Sequence, residues 1–409
     1  MDKQINNFLF DLQVYADILA NSCKLKWSLL MDTAKKPPVI WLNVAIFLGT
    51  FILATVGVAW YGVVEGYSLA HWVWLVIAFV FCGMSITAGY HRLWSHKAYE
   101  AHKALRYLFA IGGAFALQNS ALHWSSDHRV HHKHVDNNDK DPYSAKRGFW
   151  YSHIGWMLRE YQAQRYDDYR NCRDLQKDPV VTWQHKHYVL LALLTNFGIP
   201  IALGLLYGDL IGFVLVVGAL RLVLSHHTTF FINSLAHIWG SQPYTSKNTA
   251  RDNGILAFFT FGEGYHNFHH IFEHDYRNGI RWWQFDPTKW LIRGSASIGL
   301  ASNLKRVSAY RIEKARLQQT MANAKDRIFK LPNAEQIQTA LEHELQQLLA
   351  KLTEYDEVRS QLIDSAKSSV KEKYELALLR VKLEQLDISL KEQKKRWNAM
   401  VSNPRLAIA

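Results

Sequence analysis

Four stretches of the chain stay apolar for roughly the 20 residues that cross a bilayer: 39–62, 69–90, 188–207 and 210–231. A fifth apolar run, 105–117, is too short to span and reads as a buried or interfacial helix. From residue 304 onward Glu, Lys, Gln, Leu and Ala dominate. Leu341, Leu345, Leu348, Leu352 and Tyr355 follow a heptad seam that resumes at Leu379, Leu383, Leu386 and Leu390. Pro332 should end or bend a helix there. The pattern predicts an all-α protein: a segment 1–36 on the cytosolic side, a four-span membrane domain with a cytosolic helical cap over 37–300, and a helical tail over 301–409. That tail would self-associate, pair back as a hairpin, or dock a partner.

Charge sets the expected orientation. The outer links 61–68 and 207–209 contain no Lys or Arg, whereas 91–187 holds fifteen. By the positive-inside rule the central loop and both termini face the cytosol. The first 36 residues hold no long apolar core, so no cleavable secretory signal is expected. Arg221 lies inside the fourth span, where a charge is costly, and is expected to snorkel or to make a structural pair.

Three histidine clusters then change the picture: His91-Arg92-Leu93-Trp94-Ser95-His96, His128-Arg129-Val130-His131-His132 and His266-Asn267-Phe268-His269-His270. At 100° per residue, positions one, four and five of the later two project from one helix face. His91 and His96, five apart, fall roughly 140° from eclipsed, which suits a point where a helix ends and the chain turns. Imidazole alone leaves the metal open among Zn, Cu, Fe and Ni. Eight imidazoles exceed the four ligands of a closed zinc site, and two metal ions with open positions for oxygen could use them all. Ordinary surface or interfacial roles are expected for His71, His102, His185, His187 and His343.

HRLWSH, HRVHH and HNFHH resemble the three boxes of the membrane fatty acyl desaturases, in particular the delta-9 acyl-CoA (stearoyl-CoA) type. The likeness extends to Asp139-Lys140-Asp141-Pro142, to 147–156, to Asn233-Ser234-Leu235-Ala236-His237 and to Gly262-Glu263-Gly264-Tyr265. It covers about residues 37–292. It implies a di-iron centre held by His91, His96, His128, His131, His132, His266, His269 and His270, with His237 as a ninth histidine and Asn233 acting through a water. The i, i+4 spacing of Asn233 and His237 would put them on one helix face. The implied reaction inserts a cis double bond into a saturated acyl chain while oxygen is reduced to water. A bent tunnel lined by Gln118, Trp124 and Thr229, with Gly83 leaving room at its far end, would set the position. Asp127 belongs to the implied substrate-contacting set. Animal acyl-CoA members carry an arginine before the Asp-His pair of box two, and this chain has Ser126 there, so acyl-CoA and acyl lipid both stand as carriers.

Two irons can draw from oxygen and two electrons the oxidant that an unactivated methylene demands. The electrons must come from outside. The sequence holds no His-Pro-Gly-Gly haem motif, no grouped thiolates among Cys23, Cys82 and Cys172, and no Gly-x-Gly-x-x-Gly fingerprint. A ferredoxin, cytochrome or reductase is therefore expected, and the net charge of +12 favours an acidic one. Membrane lipid is an expected partner and nucleic acid is not. A bacterial inner membrane is the expected location, with the endoplasmic reticulum as the alternative. A hydroxylase on the same histidine boxes and a silent scaffold presenting a coiled-coil tail are the rival readings.

Overall fold

The computed structural model describes residues 37–162, 168–367 and 373–408. The expected segment 1–36, with Cys23, lies outside them. Among the described residues, four helices have the length and composition to cross a membrane: α1 (Trp41–Val64), α2 (Leu69–Ser95), α5 (Tyr188–Tyr207) and α6 (Leu210–His237). Two of them run past the apolar stretches toward the histidines. Only 6% of the most apolar window of α1 is buried, against 56% for α6. α1 is thus an outer helix with Trp41, Val56 and Val63 exposed, and α6 is the helix the others surround.

Short outer links are pinned by polar caps. Ser68 and His71 form a capping box at the start of α2. Asp209 accepts from the Gly212 amide at the start of α6 and sits 3.0 Å from His71 Nε2. Capping of this kind satisfies amides that a helix start otherwise leaves unpaired.

Arg221 does not snorkel. It is fully buried, donates to the carbonyls of Val217 (3.0 Å) and Phe115 (2.7 Å) and to Asn196 Oδ1 (2.9 Å), and lies over the Phe115 ring. The Phe115 carbonyl belongs to the end of α3 (Lys103–Phe115), the buried short helix expected from 105–117. Arg221 therefore satisfies the Phe115 carbonyl that a helix end leaves open, a structural role.

The cap adds α4 (Ala121–His134), the short α7 (His266–Ile271) and α8 (Pro287–Ser297). A two-residue ribbon, β1 (Glu100–Ala101) with β2 (Ala301–Ser302), ties the exit of the first histidine cluster to the start of the tail. The tail comprises α9 (Ala309–Ile328), α10 (Ala334–Lys367) and α11 (Lys373–Ser402), and Pro332 falls in the link between the first two. Of the three arrangements open to the heptad seam, the hairpin is present within the chain. Lys351 meets Ser389 and Glu354 meets Lys382, so α10 and α11 run antiparallel. Leu341, Leu345 and Leu348 pack with Trp397 and Val401.

Candidate metal centre and adjoining cavity

The first histidine pair is placed by a feature the α-helical reading did not anticipate. Residues Ser85–Ser95 at the inner end of α2 form a π-helix, and the His96 amide donates to the His91 carbonyl at 3.1 Å. An i to i+5 turn brings residues five apart to one side. His91 and His96 thus face the site together, and the helix ends between them, at Ser95, with His96 as its C-cap, as the spacing led one to expect. α4 presents His128, His131 and His132, and α7 presents His266, His269 and His270, as the one-four-five spacing requires.

His237 arrives by another route than expected. The α-helical part of α6 ends at Asn233. Ser234 takes φ −109° and ψ −71°, and Leu235–His237 form a separate 3-10 turn. Asn233 and His237 are therefore not successive turns of one continuous helix. The tighter turn carries His237 into the cluster and leaves Asn233 lining a cavity.

Nine histidines form two groups whose donor atoms lie within 4.8 Å of one another: His91, His96, His128, His132 and His269 in one, His131, His237, His266 and His270 in the other. Nε2 atoms meet Nε2 atoms. His96 and His128 are 2.8 Å apart, His91 and His269 3.0 Å, His132 and His269 3.0 Å, His237 and His266 3.1 Å, His266 and His270 3.1 Å, and His131 and His270 3.3 Å.

The opposite ring nitrogens are tied outward. His91 Nδ1 lies 2.8 Å from Glu263, His131 Nδ1 2.9 Å from Asp141, and His132 Nδ1 3.0 Å from Glu273. His237 Nδ1 is 2.8 Å from the Thr249 hydroxyl, which donates to Asp136. A carboxylate, or a hydroxyl already spent as donor, can only accept, so each of these four rings carries its proton on Nδ1 and turns the Nε2 lone pair inward. Converging lone pairs about 3 Å apart repel one another, and that spacing is what neighbouring ligands at right angles on a metal with ~2.1 Å bonds would show. The donor set fits metal.

Electrostatics agree. Burial first, and neighbouring imidazoles after it, hold His96, His128, His266, His269 and His270 well below the ordinary histidine range. Burial also lowers His132, to about 4, although Glu273 pulls the other way. Neutral rings are the form that ligates. Glu263 is buried, which alone would raise its pKa, but His91 and Arg92 hold the carboxyl below its usual range. Arg92 reaches Glu263 at 2.9 Å and Asp286 at 3.0 Å and donates to the Tyr276 carbonyl. Gly262, at φ +101°, lets the chain turn Glu263 inward, and a β-carbon there would stand 2.5 Å from Asp286. Sequence reasoning assigned no role to Glu263, Asp141, Glu273, Thr249 or Asp136. Asp141 and Glu263 stood inside quoted motifs, a signal that could have found them, but nothing along the chain marks Glu273 as the partner of His132.

A cavity of about 470 Å³ leads to this cluster, with His91, His128 and Glu263 in its wall. Gln118, Trp124, Asp127 and Thr229 all line it, and Gln118 Nε2 donates to Thr229 Oγ1 at 2.9 Å across it. Trp124 stacks on His128, with centroids 4.9 Å apart. Gly83 is not in the lining. The Phe261 ring fills the space beside it, 2.1 Å from where a β-carbon would stand. Ser126 bonds to Asn171 at 2.8 Å.

This arrangement has known relatives. The family model described as fatty acid desaturase matches residues 68–298, more than half of the chain. The chain belongs to the fatty acid desaturase family. It is 44% identical over 283 residues to acyl-CoA desaturase 1 of Saccharomyces cerevisiae, covering 68% of this chain and 54% of the yeast protein. It is 36% identical over 284 residues to the Delta(9)-fatty-acid desaturase fat-6 of Caenorhabditis elegans (68% and 83%), and 36% identical over 283 residues to the sn-2 palmitoyl-lipid 9-desaturase of Nostoc sp. (67% and 93%). The chain spans little more than half the length of the yeast relatives it matches. With its four apolar helices, this desaturase-family chain is an integral membrane protein.

Proposed function

We propose that the chain is an oxygen-dependent acyl desaturase that places a cis double bond, at the delta-9 position, in a saturated fatty acyl chain. The observation that carries this reading is the cavity that ends against His91 and His128 while its wall is cross-bonded by Gln118 and Thr229. Two irons, held in the five-histidine and four-histidine groups with Asn233 acting through a water, would supply the oxidising power to remove hydrogen from a methylene. The protein's own part is positional. Trp124 and the bond between Gln118 and Thr229 shape the path of the acyl chain, the outward partners fix each imidazole, and burial keeps competing water out.

Electrons would enter from an external carrier. A second cavity, about 460 Å³, opens on His96 and His132, with Lys97 and Lys133 in its lining and Glu273 on His132, and its cations suit an acidic ferredoxin or cytochrome. The carrier of the acyl chain is CoA or a membrane lipid, in line with the names of relatives of both kinds. The location is a bacterial inner membrane, or the endoplasmic reticulum, with the site facing the cytosol.

The test is gas chromatography with mass spectrometry of fatty acids from a desaturase-deficient host expressing the chain beside its His269→Ala variant. New monounsaturated chains absent from the variant support desaturation and locate the double bond after derivatisation. Hydroxylated chains would move the assignment to a hydroxylase. No product from iron-loaded protein supplied with an active donor would overturn both.

A further inference from the structure

α7 carries three of the nine histidines on six residues. Isolated helices shorter than ~12–15 residues are not stable in water, so the aim of α7 is set by whatever grips it from outside. At 100° per residue, His266, His269 and His270 share an arc of about 100°, and Phe268 and Phe272 fall on the opposite side. That opposite side is gripped in part from beyond the region matched by the family model, which ends at residue 298. Phe268 and Phe272, both buried, pack against Ile312 of α9, itself only 8% exposed, with Val307 and Ala315 beside it and with Tyr244 and Ile280 of the cap on the same cluster.

The chain leading into α9 is stitched to the same place. The Val307 amide donates to Asp275 at 2.9 Å, the Tyr276 amide to the Lys305 carbonyl at 3.0 Å, and the Lys305 amide to the Ala98 carbonyl at 2.9 Å. Ala98 lies two residues past His96. The remaining side of α7 is tied by Asn267, which accepts from the Tyr244 amide and donates to the Thr245 and Ala250 carbonyls. Those three bonds hold the backbone at one point. The His266 amide also donates to the Arg251 carbonyl at 3.3 Å and the Phe268 amide to Asp252 at 3.0 Å, which fixes the start of the helix, and the apolar cluster extends the grip to its end. Glu313 pairs with Lys394 and Tyr310 bonds Thr353 at 3.1 Å, so the hairpin in turn buttresses α9.

We infer that the first two turns of α9 are a brace for the third histidine box, and that Ile312 is a positioning residue for His266, His269 and His270. The brace rests on the metal reading above. It divides the last hundred residues by role: 300–315 serve the metal centre, and the distal hairpin is a separate packing unit that backs them.

The test uses full-length protein in detergent, loaded with ferrous iron and challenged with graded chelator, in wild type, Ile312→Ala, Ile312→Val and the equally buried tail variant Leu345→Ala. Iron retention and hydrogen exchange of amides 266–272 are read together. About tenfold weaker retention and faster exchange in Ile312→Ala, recovery toward wild type in Ile312→Val, and wild-type behaviour in Leu345→Ala are expected. With an acyl substrate, kcat should fall in proportion to iron while KM holds. Wild-type retention and exchange in Ile312→Ala would overturn the brace, as would equal loss in Leu345→Ala, which marks general loosening. If Ile312→Ala does not accumulate, Ile312→Thr carries the comparison against Ile312→Val, and wild-type retention and exchange in Ile312→Thr overturn the brace. A wild type that retains no iron would instead sink the metal reading.

Discussion

The metal-bearing cap and the tail hairpin are both helical, and they are held together in opposite ways. The cap buries imidazoles, carboxylates and guanidinium groups, including Arg92, Asp141, Glu263 and Asp286, and links them by short directed bonds. The hairpin buries Leu341, Leu345, Leu348 and Trp397 and leaves its ion pairs half exposed, as with Lys382 and Glu354. Buried polarity costs stability unless each group is matched, so a region that concentrates it is built for chemistry, and one that avoids it is built for packing.

That contrast can be broken most sharply at the ligands. Replacing His131 or His269 with alanine should abolish product formation while the protein still reaches the membrane, a loss beyond the ~10–100-fold that follows removal of an outer partner. Product analysis with immunodetection in membranes reads it, and retained turnover in either variant would refute the site. Next in size, Glu263→Gln or Asp141→Asn should weaken iron retention about 10–100-fold, since each carboxylate fixes one imidazole, and Asp141→Asn should leave the product pattern unchanged because Asp141 lies outside the cavity lining. Chelator competition measures the effect.

On the other side of the comparison, Leu345→Ala removes a buried side chain from the hairpin and should cost the tail about 2–5 kcal/mol. Desaturation should persist, with early hydrogen exchange confined to α10, α11 and the distal half of α9 that packs with them. Acid sharpens the same contrast. His132 titrates at about 4 in the folded cap and near ~6.5 unfolded. Its contribution to stability is complete above about pH 6.5 and is lost as pH falls toward 4. Metal-free protein should therefore loosen in the cap before the hairpin between those values, as exchange at pH 5 against pH 7.5 would reveal. Smallest of all, Lys382→Ala should shift tail stability by at most ~1 kcal/mol, because its partner Glu354 is half exposed.

Much of this was legible along the chain. Transmembrane length and apolarity are local properties, so the four spans were placed within a few residues except where α2 and α6 extend to their histidines. The one-four-five spacing on α4 and α7 is a helix property and carried over intact. What the spacing did not show lies where the backbone leaves α-helical geometry: the helix does end at His96, but as a π-helix, and a break at Ser234 separates Asn233 from His237. Glu273 on His132 and Ile312 on Phe268 escaped for another reason. Both are contacts between distant segments, and no periodicity encodes them.

The π-helix at Ser85–Ser95 has a consequence for how the gene can change. A side chain in this stretch can be exchanged without altering the turn, but the length of the stretch cannot change without altering it. Removing one codon would shift everything beyond by one position and, at an unchanged pitch, swing it by roughly 100°. In a library of single-codon deletions, this stretch should stand out as a gap among functional survivors, in contrast to the outer links, where a missing residue shortens only a link.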